Sequence, residues 1–328
     1  MTIELLLVIA LALTFDFLNG MRDVSNVVAT MISSRAFSPQ TALSIASISE
    51  FIGPFLFGTV VARTIADQVV DSNVLTLAVI LAALLGAILW NIVTWYFGIP
   101  GSSSHALLGG LVGAVWMGVG LDAIKWTGIV KVLIALFASP LIGFFVGFLV
   151  ARIIYFFAQA ASPKINDFFK NAQFFTAVGL ALSHGANDAQ KAMGMIVLSL
   201  VIGGYLPRFE MPTWVIVLSA AVMALGASLG GWRMIRTLGG KFYKIRPLHS
   251  FSTQLTSASV IFAASLFGVP VSTSQIVSSA IIGVGSSERV SKIRWSVAEE
   301  IVTAWLITIP ASALLSAGVY WLIELLTR

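Results

Sequence analysis

The feature that most constrains this chain is a succession of long apolar blocks with almost no charge inside them. About 20 apolar residues are enough for a helix to cross a bilayer. Of the 328 residues, 58% are hydrophobic and only 10% are charged, whereas soluble domains average about 25% charged residues. Ten apolar blocks can be distinguished, at roughly 3–20, 39–65, 73–97, 102–120, 127–157, 172–203, 213–232, 252–268, 270–287 and 296–326. The sequence therefore predicts an all-α polytopic membrane protein.

Composition excludes several other classes of protein. The chain has no cysteine, so disulfides and thiol chemistry are absent. The charged residues, which give a net charge of +5, lie between the apolar blocks. This placement favours a role in membrane topology over nucleic-acid binding. No Lys or Arg precedes the apolar residues 3–15 and no small-residue cleavage site follows them, so we expect a retained first helix. We find no P-loop, metal cluster or Ser–His–Asp pattern, and therefore expect neither an enzyme nor a resident cofactor.

The two halves of the chain resemble each other. Residues 19–31 align with 184–196 at an offset of 165, and residues 98–105 align with 268–275 at an offset of 170. Two motifs that recur in the same order indicate an internal repeat. Five segments in each half would place the second half upside down in the membrane, an inverted repeat of the kind found in secondary transporters. We predict a first repeat at 1–158, a cytoplasmic linker at 159–173 and a second repeat at 174–328, in a helical bundle with discontinuous helices and about 10–12 membrane elements.

The basic residues predict the orientation, because cytoplasmic loops are enriched in Lys and Arg. With the N-terminus outside, the outer loops contain only Lys125, Arg208 and Arg328, with Arg63 and Lys131 near segment ends. The inner loops and their flanks contain Arg35, Arg152, Lys164, Lys170, Arg233, Arg236, Lys241, Lys244, Arg246, Arg289, Lys292 and Arg294. We therefore expect a multi-pass protein of the cell membrane with both termini outside.

The first repeated motif places charged and amide side chains within apolar sequence. Asp23 matches Asp188, and Asn26 matches Lys191. Because buried charge is expensive in a bilayer, such residues usually pair or face a polar cavity; the alternative is a position in the headgroup region. Gly20 and Gly185 precede the aspartates and predict a break in the helix, where freed carbonyls and a carboxylate suit a hard cation. We expect cation coupling at Asp23, Asp188, Lys191 and Glu50, with Asp23, Asp188 and Asn26 as candidate ligands for sodium.

The second repeated motif has the features of an anion site. Pro100 and Pro270 are each followed by three small hydroxyl residues. Serine and threonine are good N-caps, and the start of a helix presents unpaired N–H groups and a positive dipole end to an anion. Ordinary helix capping is the alternative. Including nearby amides, the predicted anion-binding residues are Ser102, Ser103, Ser104, Ser272, Thr273, Ser274, Asn26, Asn187 and Gln190.

Lys191 has two interpretations in this scheme. As a tethered cation near Asp188, it would fill a position otherwise open to sodium, or its proton would take part in coupling. The alternative is a structural ion pair or snorkelling to the interface. The glycine-containing runs 109–114 and 225–231 are interpreted as close helix packing rather than nucleotide loops.

These motifs resemble the Pit family of inorganic phosphate transporters. The segments FLNGMRDVSNVVAT and LSHGANDAQKAMG resemble the two family signatures, and WYFGIPGSSSHALLGG and GVPVSTSQ resemble the paired Pro-Ser regions. The resemblance extends over nearly the whole chain and implies twelve membrane elements, phosphate at the repeat interface and coupling to sodium ions or protons. Departures from the family pattern at Arg22, Glu50 and Gln275 leave the coupling ion open.

We therefore expect a symporter that imports inorganic phosphate with sodium ions or protons. Moving each negative charge into a cell against 100 mV costs about 2.3 kcal/mol, which co-transported cations offset. The alternatives are a permease for sulfate or another oxyanion, an anion channel and, least favoured, a membrane enzyme. The expected partners are phosphate, the coupling cation and the lipid bilayer, with no nucleic acid; a homo-oligomer is left open.

Overall fold

The computed structural model describes residues 2–68 and 74–327, which form helices and connecting loops without a β-strand. The first half contains α1 (Ile3–Asp23), α2 (Ser25–Ser33), α3 (Pro39–Leu56), α4 (Val60–Gln68), α5 (Leu77–Phe97), α6 (Ser103–Gly118) and α7 (Trp126–Ala158). The second contains α8 (Ile165–Ile202), α9 (Thr213–Leu229), α10 (Trp232–Arg236), α11 (Pro247–Leu266), α12 (Thr273–Glu288) and α13 (Trp295–Thr327). Short 3₁₀ turns precede α7 and α13, and a π-helical turn at Thr237–Lys241 follows α10.

The predicted membrane character is confirmed by the lengths and exposed faces of the helices. Within residues 2–68 and 74–327, four spans are long and apolar enough to cross a bilayer: Ile3–Ser33, Leu77–Phe97, Trp126–Ala158 and Trp295–Thr327. A fifth would be the pair Thr213–Leu229 and Trp232–Lys241, which is bent by 59°. Large apolar side chains on α7 and α13 point outward, where they suit contact with lipid tails. The other helices carry more polar residues, and many of these are buried inside the protein.

Helix ends follow from local capping chemistry. Thr2, Ser38 and Thr76 cap α1, α3 and α5 by accepting a backbone N–H three residues later. Gly98 after α5 and Gly268 after α11 both have positive φ, of 68° and 65°, a conformation that favours glycine. Because these two glycines are 170 residues apart, the chain turns in the same way before α6 and before α12.

Helices of one half pack on helices of the other. Helix α6 packs on α13 and α12 packs on α7, while α1 packs on α9 and α8 packs on α3. Glycines allow this close approach: a Cβ added at Gly113 would lie 2.0 Å from the Ala313 carbonyl oxygen, and one at Gly226 would lie 2.1 Å from that of Phe17. The interpretation of the two glycine-containing runs as helix packing is thus confirmed.

Three features of the structure differ from the segment predictions. The block 39–65 forms two helices, α3 and α4, rather than one. Residues 165–173 belong to α8, so the non-helical part of the predicted linker is limited to 159–164. The division of the chain into two repeats around this linker stays a prediction.

The third difference concerns the expected helix breaks at the two aspartates. Helices α1 and α2 are separated only at Val24, and α8 continues through Asp188 without interruption. The break predicted in the second motif is therefore wrong. Gly185 serves close packing instead, because a Cβ there would lie 2.4 Å from the Glu50 carbonyl oxygen on α3.

Candidate functional site

Helices α6 and α12 begin in the same way inside the protein. Ser102 caps α6 by accepting from the His105 backbone N–H at 3.2 Å, and Ser272 caps α12 by accepting from the Gln275 N–H at 3.4 Å. These two hydroxyls therefore perform the ordinary capping role that was the alternative to anion binding. Beyond each cap, the first two N–H groups lack a partner within the helix. They belong to Ser103 and Ser104 in α6 and to Thr273 and Ser274 in α12, all of which are buried.

Asp23 lies at the end of α1 and contacts both helix starts. Its carboxylate is paired with its neighbour Arg22, with Nε 3.0 Å from Oδ1. The Ser103 hydroxyl donates to Oδ2 at 3.3 Å, and the Ser274 hydroxyl donates to Oδ1 at 3.4 Å. The Asn26 amide in turn donates to the Ser274 hydroxyl at 3.2 Å. One carboxylate thus joins hydroxyls from two segments that are far apart in sequence.

Asp188, in the middle of α8, has a similar set of partners. The Lys191 ammonium lies 2.8 Å from Oδ1, and the Asn187 amide donates to the same oxygen at 3.2 Å. The Thr273 hydroxyl donates to Oδ2 at 3.2 Å. Asp188 therefore has a fixed cation, an amide and a hydroxyl as partners. Asp23 has the same three kinds of group around it, with its amide, Asn26, linked to it through Ser274.

Lys191 connects the two aspartate groups. Its ammonium lies 3.3 Å from the Ser103 hydroxyl, which also donates to Asp23. The Ser104 hydroxyl crosses to the other motif and donates to the Val271 carbonyl at 3.0 Å. The two hydroxyl runs and the two aspartates therefore form one buried polar cluster, which we call the central cluster: Asp23, Asn26, Ser103, Asn187, Asp188, Lys191, Thr273 and Ser274.

Glu50 reaches the central cluster through a histidine. His184 Nδ1 lies 3.0 Å from Glu50 Oε1, and His184 Nε2 lies 3.7 Å from Asp188 Oδ2. The side chains of all three residues are fully buried. Glu50 on α3 is thus one residue removed from Asp188, with the imidazole between the two carboxylates.

Arg22 has three hydrogen-bond partners in addition to its ion pair with Asp23. Its guanidinium donates to Asn91 Oδ1 at 2.6 Å, to the Thr94 hydroxyl at 3.3 Å and to the Gly101 carbonyl at 3.3 Å. These contacts attach the end of α1 to α5 and to the loop before α6. The arginine therefore fixes the position of Asp23 relative to the start of α6.

Most of the predicted site residues come together in this structure. Gln190 does not join the central cluster: its side chain accepts from the Ala62 backbone N–H at 3.1 Å and holds the start of α4 instead. Ser102 and Ser272 are caps beside the cluster. Across residues 2–68 and 74–327, no group of three or more His, Asp or Glu side chains is arranged to hold a metal ion. The sodium site predicted at Asp23, Asp188 and Asn26 stays a prediction.

Several polar residues near the cluster were not predicted as site residues. Arg22 and His184 lie inside the repeated motifs, and the argument from buried charge that selected Asp23 applies equally to Arg22. Asp16 and Asn19 precede Asp23 by seven and four residues, the spacing of one helical face. That periodicity was the available signal for this pair.

A cavity of about 700 Å³ lies next to the loop before α6. Its wall includes Thr94 and residues 97–100, which precede α6, together with Thr237 and the first turns of α13. Lys241, Glu299 and Glu300 are the charged residues of its lining. Because Thr94 also contacts Arg22, the cavity approaches the central cluster from the side of the Gly98 turn.

The sequence resembles a known protein family over most of its length. A model of the "Phosphate transporter family" matches residues 19–316. A "Probable low-affinity inorganic phosphate transporter" of Rhizobium meliloti (strain 1021) is 45% identical over 97% of this chain and 96% of its own length. A protein of the same description from Bacillus subtilis (strain 168) is 42% identical over 98% of this chain and 97% of its own length.

The fold has a counterpart among solved structures. A structure described as "The sodium-dependent phosphate transporter" superposes with a TM-score of 0.89 at 23% identity, over 99% of this chain and 100% of the other. The chain belongs to the phosphate transporter family. Members of this family are transporters, so the resemblance drawn from the motifs and the expectation of a non-enzyme are both confirmed.

Proposed function

We propose that this protein is a secondary transporter that imports inorganic phosphate together with cations. The observation that carries the proposal is the convergence of two helix starts on one carboxylate, since Ser103 of α6 and Ser274 of α12 both donate to Asp23. Family membership and the two similar proteins described as inorganic phosphate transporters support the choice of anion.

The central cluster has the groups that a phosphate needs. The N–H groups at the starts of α6 and α12 and the hydroxyls of Ser103, Thr273 and Ser274 supply neutral donors. The amides of Asn26 and Asn187 are adjacent, and Arg22 and Lys191 add positive charge. A protonated phosphate oxygen has acceptors in Asp23 and Asp188, which sulfate cannot use in this way. We therefore favour phosphate over sulfate.

Cations are needed to drive the import of a dianion against the membrane potential. Each charge costs about 2.3 kcal/mol per 100 mV, and coupled cations offset this cost. Asp23, Asp188, Glu50 and Lys191 are the proposed coupling residues, and sodium ions and protons are the two candidate ions. The structural counterpart described as sodium-dependent supports sodium as a candidate. Fixed cations lie 3.0 Å from Asp23 and 2.8 Å from Asp188, so a sodium ion or a proton has to compete with them for these two carboxylates.

The predicted orientation of the chain in the membrane gives the cavity a role in transport. With both termini outside, Lys241, Glu299 and Glu300 are cytoplasmic, and the 700 Å³ cavity is the inner vestibule of the transport path. Pro100, which lines the cavity, precedes the start of α6 by three residues. On the basis of its apolar spans and predicted topology, we place the protein in the cell membrane.

Uptake by purified protein in proteoliposomes tests the proposal. Radiolabelled phosphate should accumulate when a sodium or proton gradient is imposed, each gradient being applied alone at fixed membrane potential. Saturable flux that follows a cation gradient supports a symporter, and unlabelled sulfate should compete weakly. Flux that depends only on the phosphate gradient and does not saturate would show an anion channel instead. Liposomes that contain the Asp188→Asn variant are the matched control.

A further inference from the structure

Asp16 on α1 lies beside Ser219 of α9, and Asn19 follows Asp16 by one helical turn on α1. Asp16 and Asn19 lie on α1 and Ser219 lies on α9, and each is fully buried. The Ser219 hydroxyl is beside the Asp16 carboxyl group without a well-oriented hydrogen bond to it. Both carboxyl oxygens of Asp16, both polar atoms of the Asn19 amide and the Ser219 hydroxyl lack a hydrogen-bond partner among the described residues.

A buried serine in a helix can donate to the carbonyl four residues earlier, as Ser199 and Ser265 do at 2.7 and 3.0 Å. Ser219 does not, a property that it shares with other buried serines such as Ser278 and Ser316. A buried polar group without a partner costs about 1–3 kcal/mol. What distinguishes this place is that the unpartnered serine lies beside an unpartnered carboxyl group, and this pair points to a ligand that satisfies both.

Among the described residues, Asp16 forms no ion pair with a fixed cation. Asp188 and Lys191 of α8 and Glu50 of α3 interact with Asp16 electrostatically. Lys191 is already paired with Asp188 at 2.8 Å. Helices α2, α5 and α9 also pack near α1, and their sequences contain no Asp, Glu, Lys, Arg or His. Within the described residues, Asp16 thus differs from Asp23 and Asp188, each of which has a fixed cation.

We infer that Asp16, with Asn19 and Ser219, binds the proton that is coupled to transport, an inference that rests on the proposed function. A buried carboxyl group without a cation becomes neutral by binding a proton. The protonated group is a donor, and the Asn19 carbonyl and Ser219 hydroxyl are acceptors of the right kind for it.

The packing of α1 on α9 favours a proton over a metal ion. Hard metal ions such as Ca²⁺ and Mg²⁺ gather about six or more oxygen ligands, whereas the side chains of Asp16, Asn19 and Ser219 together have four oxygens. One helical turn away the helices touch, because a Cβ added at Gly20 would lie 2.0 Å from the Met223 carbonyl oxygen. A proton requires a single oxygen and no shell of ligands.

The site is placed to act on the central cluster. Asp16 and Asp23 are separated by seven residues, or about 10 Å along one face of α1. The repeat places Ala181 at the position of Asp16 in the second half, so this carboxyl group belongs to one half alone. A proton bound here changes the charge two turns from Asp23 without occupying the phosphate-binding groups.

Infrared spectroscopy tests the bound proton directly. In protein labelled with ¹³C-aspartate, a protonated aspartate carboxyl band should be present at neutral pH and absent in the Asp16→Asn variant. The matched control is Asp167→Asn, since the Asp167 side chain is 76% exposed; this variant should keep the band. A band that survives in Asp16→Asn, or no band in the wild type at any pH at which it remains folded, would overturn the inference. If Asp16→Asn does not fold, Ser219→Ala replaces it, and a carboxyl band unshifted by that change would overturn the inference too.

Transport measurements give a second readout. Asp16→Asn should retain exchange of phosphate across the vesicle membrane and lose accumulation driven by a pH gradient. One pH unit drives about tenfold accumulation per coupled proton, so this factor should disappear. Accumulation equal to that of the wild type would overturn the inference. So would a wild type driven by sodium and unaffected by a pH gradient, although phosphate symport would then stand. A wild type without phosphate exchange would instead contradict the proposed function.

Discussion

The two repeated motifs that contain Asp23 and Asp188 have the same chemical groups in exchanged order. In the first half the cation precedes the aspartate, as Arg22–Asp23, and the amide follows three residues later as Asn26. In the second half the amide Asn187 precedes Asp188, and the cation Lys191 follows three residues later. Both aspartates are paired, at 3.0 and 2.8 Å. The second motif therefore keeps the ion pair but has the cation after the aspartate in sequence rather than before it.

The two cations differ in what else they touch. Arg22 donates to Asn91, Thr94 and the Gly101 carbonyl, so it is anchored within its own half. Lys191 touches the Ser103 hydroxyl, which belongs to the other half. A guanidinium with several fixed partners suits a structural role, whereas an ammonium on a flexible stem suits a bridge that changes during transport. The comparison thus predicts different roles for Arg22 and Lys191.

The largest effect is expected from the aspartates. Asp23→Asn and Asp188→Asn keep side-chain size and remove one partner of a buried ion pair, a change that costs about 3–5 kcal/mol. We expect uptake per inserted protein to fall by about 10²- to 10³-fold in both variants. Radiolabelled uptake at matched incorporation measures this. Normal uptake in both would show that neither carboxylate serves coupling.

Replacement of Arg22 and replacement of Lys191 should have different effects. Arg22→Gln should lower thermal stability by about 3 kcal/mol because it leaves Asp23 unpaired and releases α5. Lys191→Gln should lower stability less and change the ratio of cations to phosphate moved, or shift the dependence from protons toward sodium. Thermal unfolding in detergent and uptake at fixed potential are the measurements. If Lys191→Gln lowers only the maximal uptake and leaves the ion dependence unchanged, Lys191 is structural, like Arg22.

Gly20 and Gly185, each the second residue of its motif, should respond alike to replacement by alanine. A Cβ at Gly20 would lie 2.0 Å from the Met223 carbonyl oxygen, and one at Gly185 would lie 2.4 Å from that of Glu50. Each Gly→Ala change should therefore destabilise the protein by about 1–3 kcal/mol through overpacking. Gly179→Ala is the matched control, because its nearest contact would be 3.9 Å away. Equal melting temperatures for all three variants would contradict the packing argument.

The hydroxyls should give the smallest effects and the finest comparison. Ser103 contacts both Asp23 and Lys191, whereas Thr273 contacts Asp188. Loss of a hydrogen bond to a charged group costs about 1.5–3 kcal/mol, so Ser103→Ala should weaken phosphate binding by about tenfold or more and Thr273→Ala by less. Calorimetry in detergent measures the Kd. Ser259→Ala, which removes only a contact within α11, should bind phosphate as the wild type does.

The sequence alone determined the class of fold and much of the cluster. Apolar blocks located nearly every helix, because helix formation in a bilayer depends on local hydropathy. The repeated motifs selected Asp23, Asp188 and both hydroxyl runs, since buried charge and helix starts leave local signatures. They also predicted the family, which the comparisons confirmed.

Only the tertiary structure decided which of these residues meet. Asn26 and Ser274 are bonded across 248 residues, and no local pattern specifies that distance. Helix α8 continues through Asp188, and the close approach of α3 at Gly185 is visible only in the packed molecule. Ser102 is a cap because α6 begins at the next residue. The partners of Arg22 and the isolation of Asp16 likewise arise from neighbouring helices. Hydropathy and capping act within a few residues, whereas hydrogen bonds and ion pairs are chosen through space.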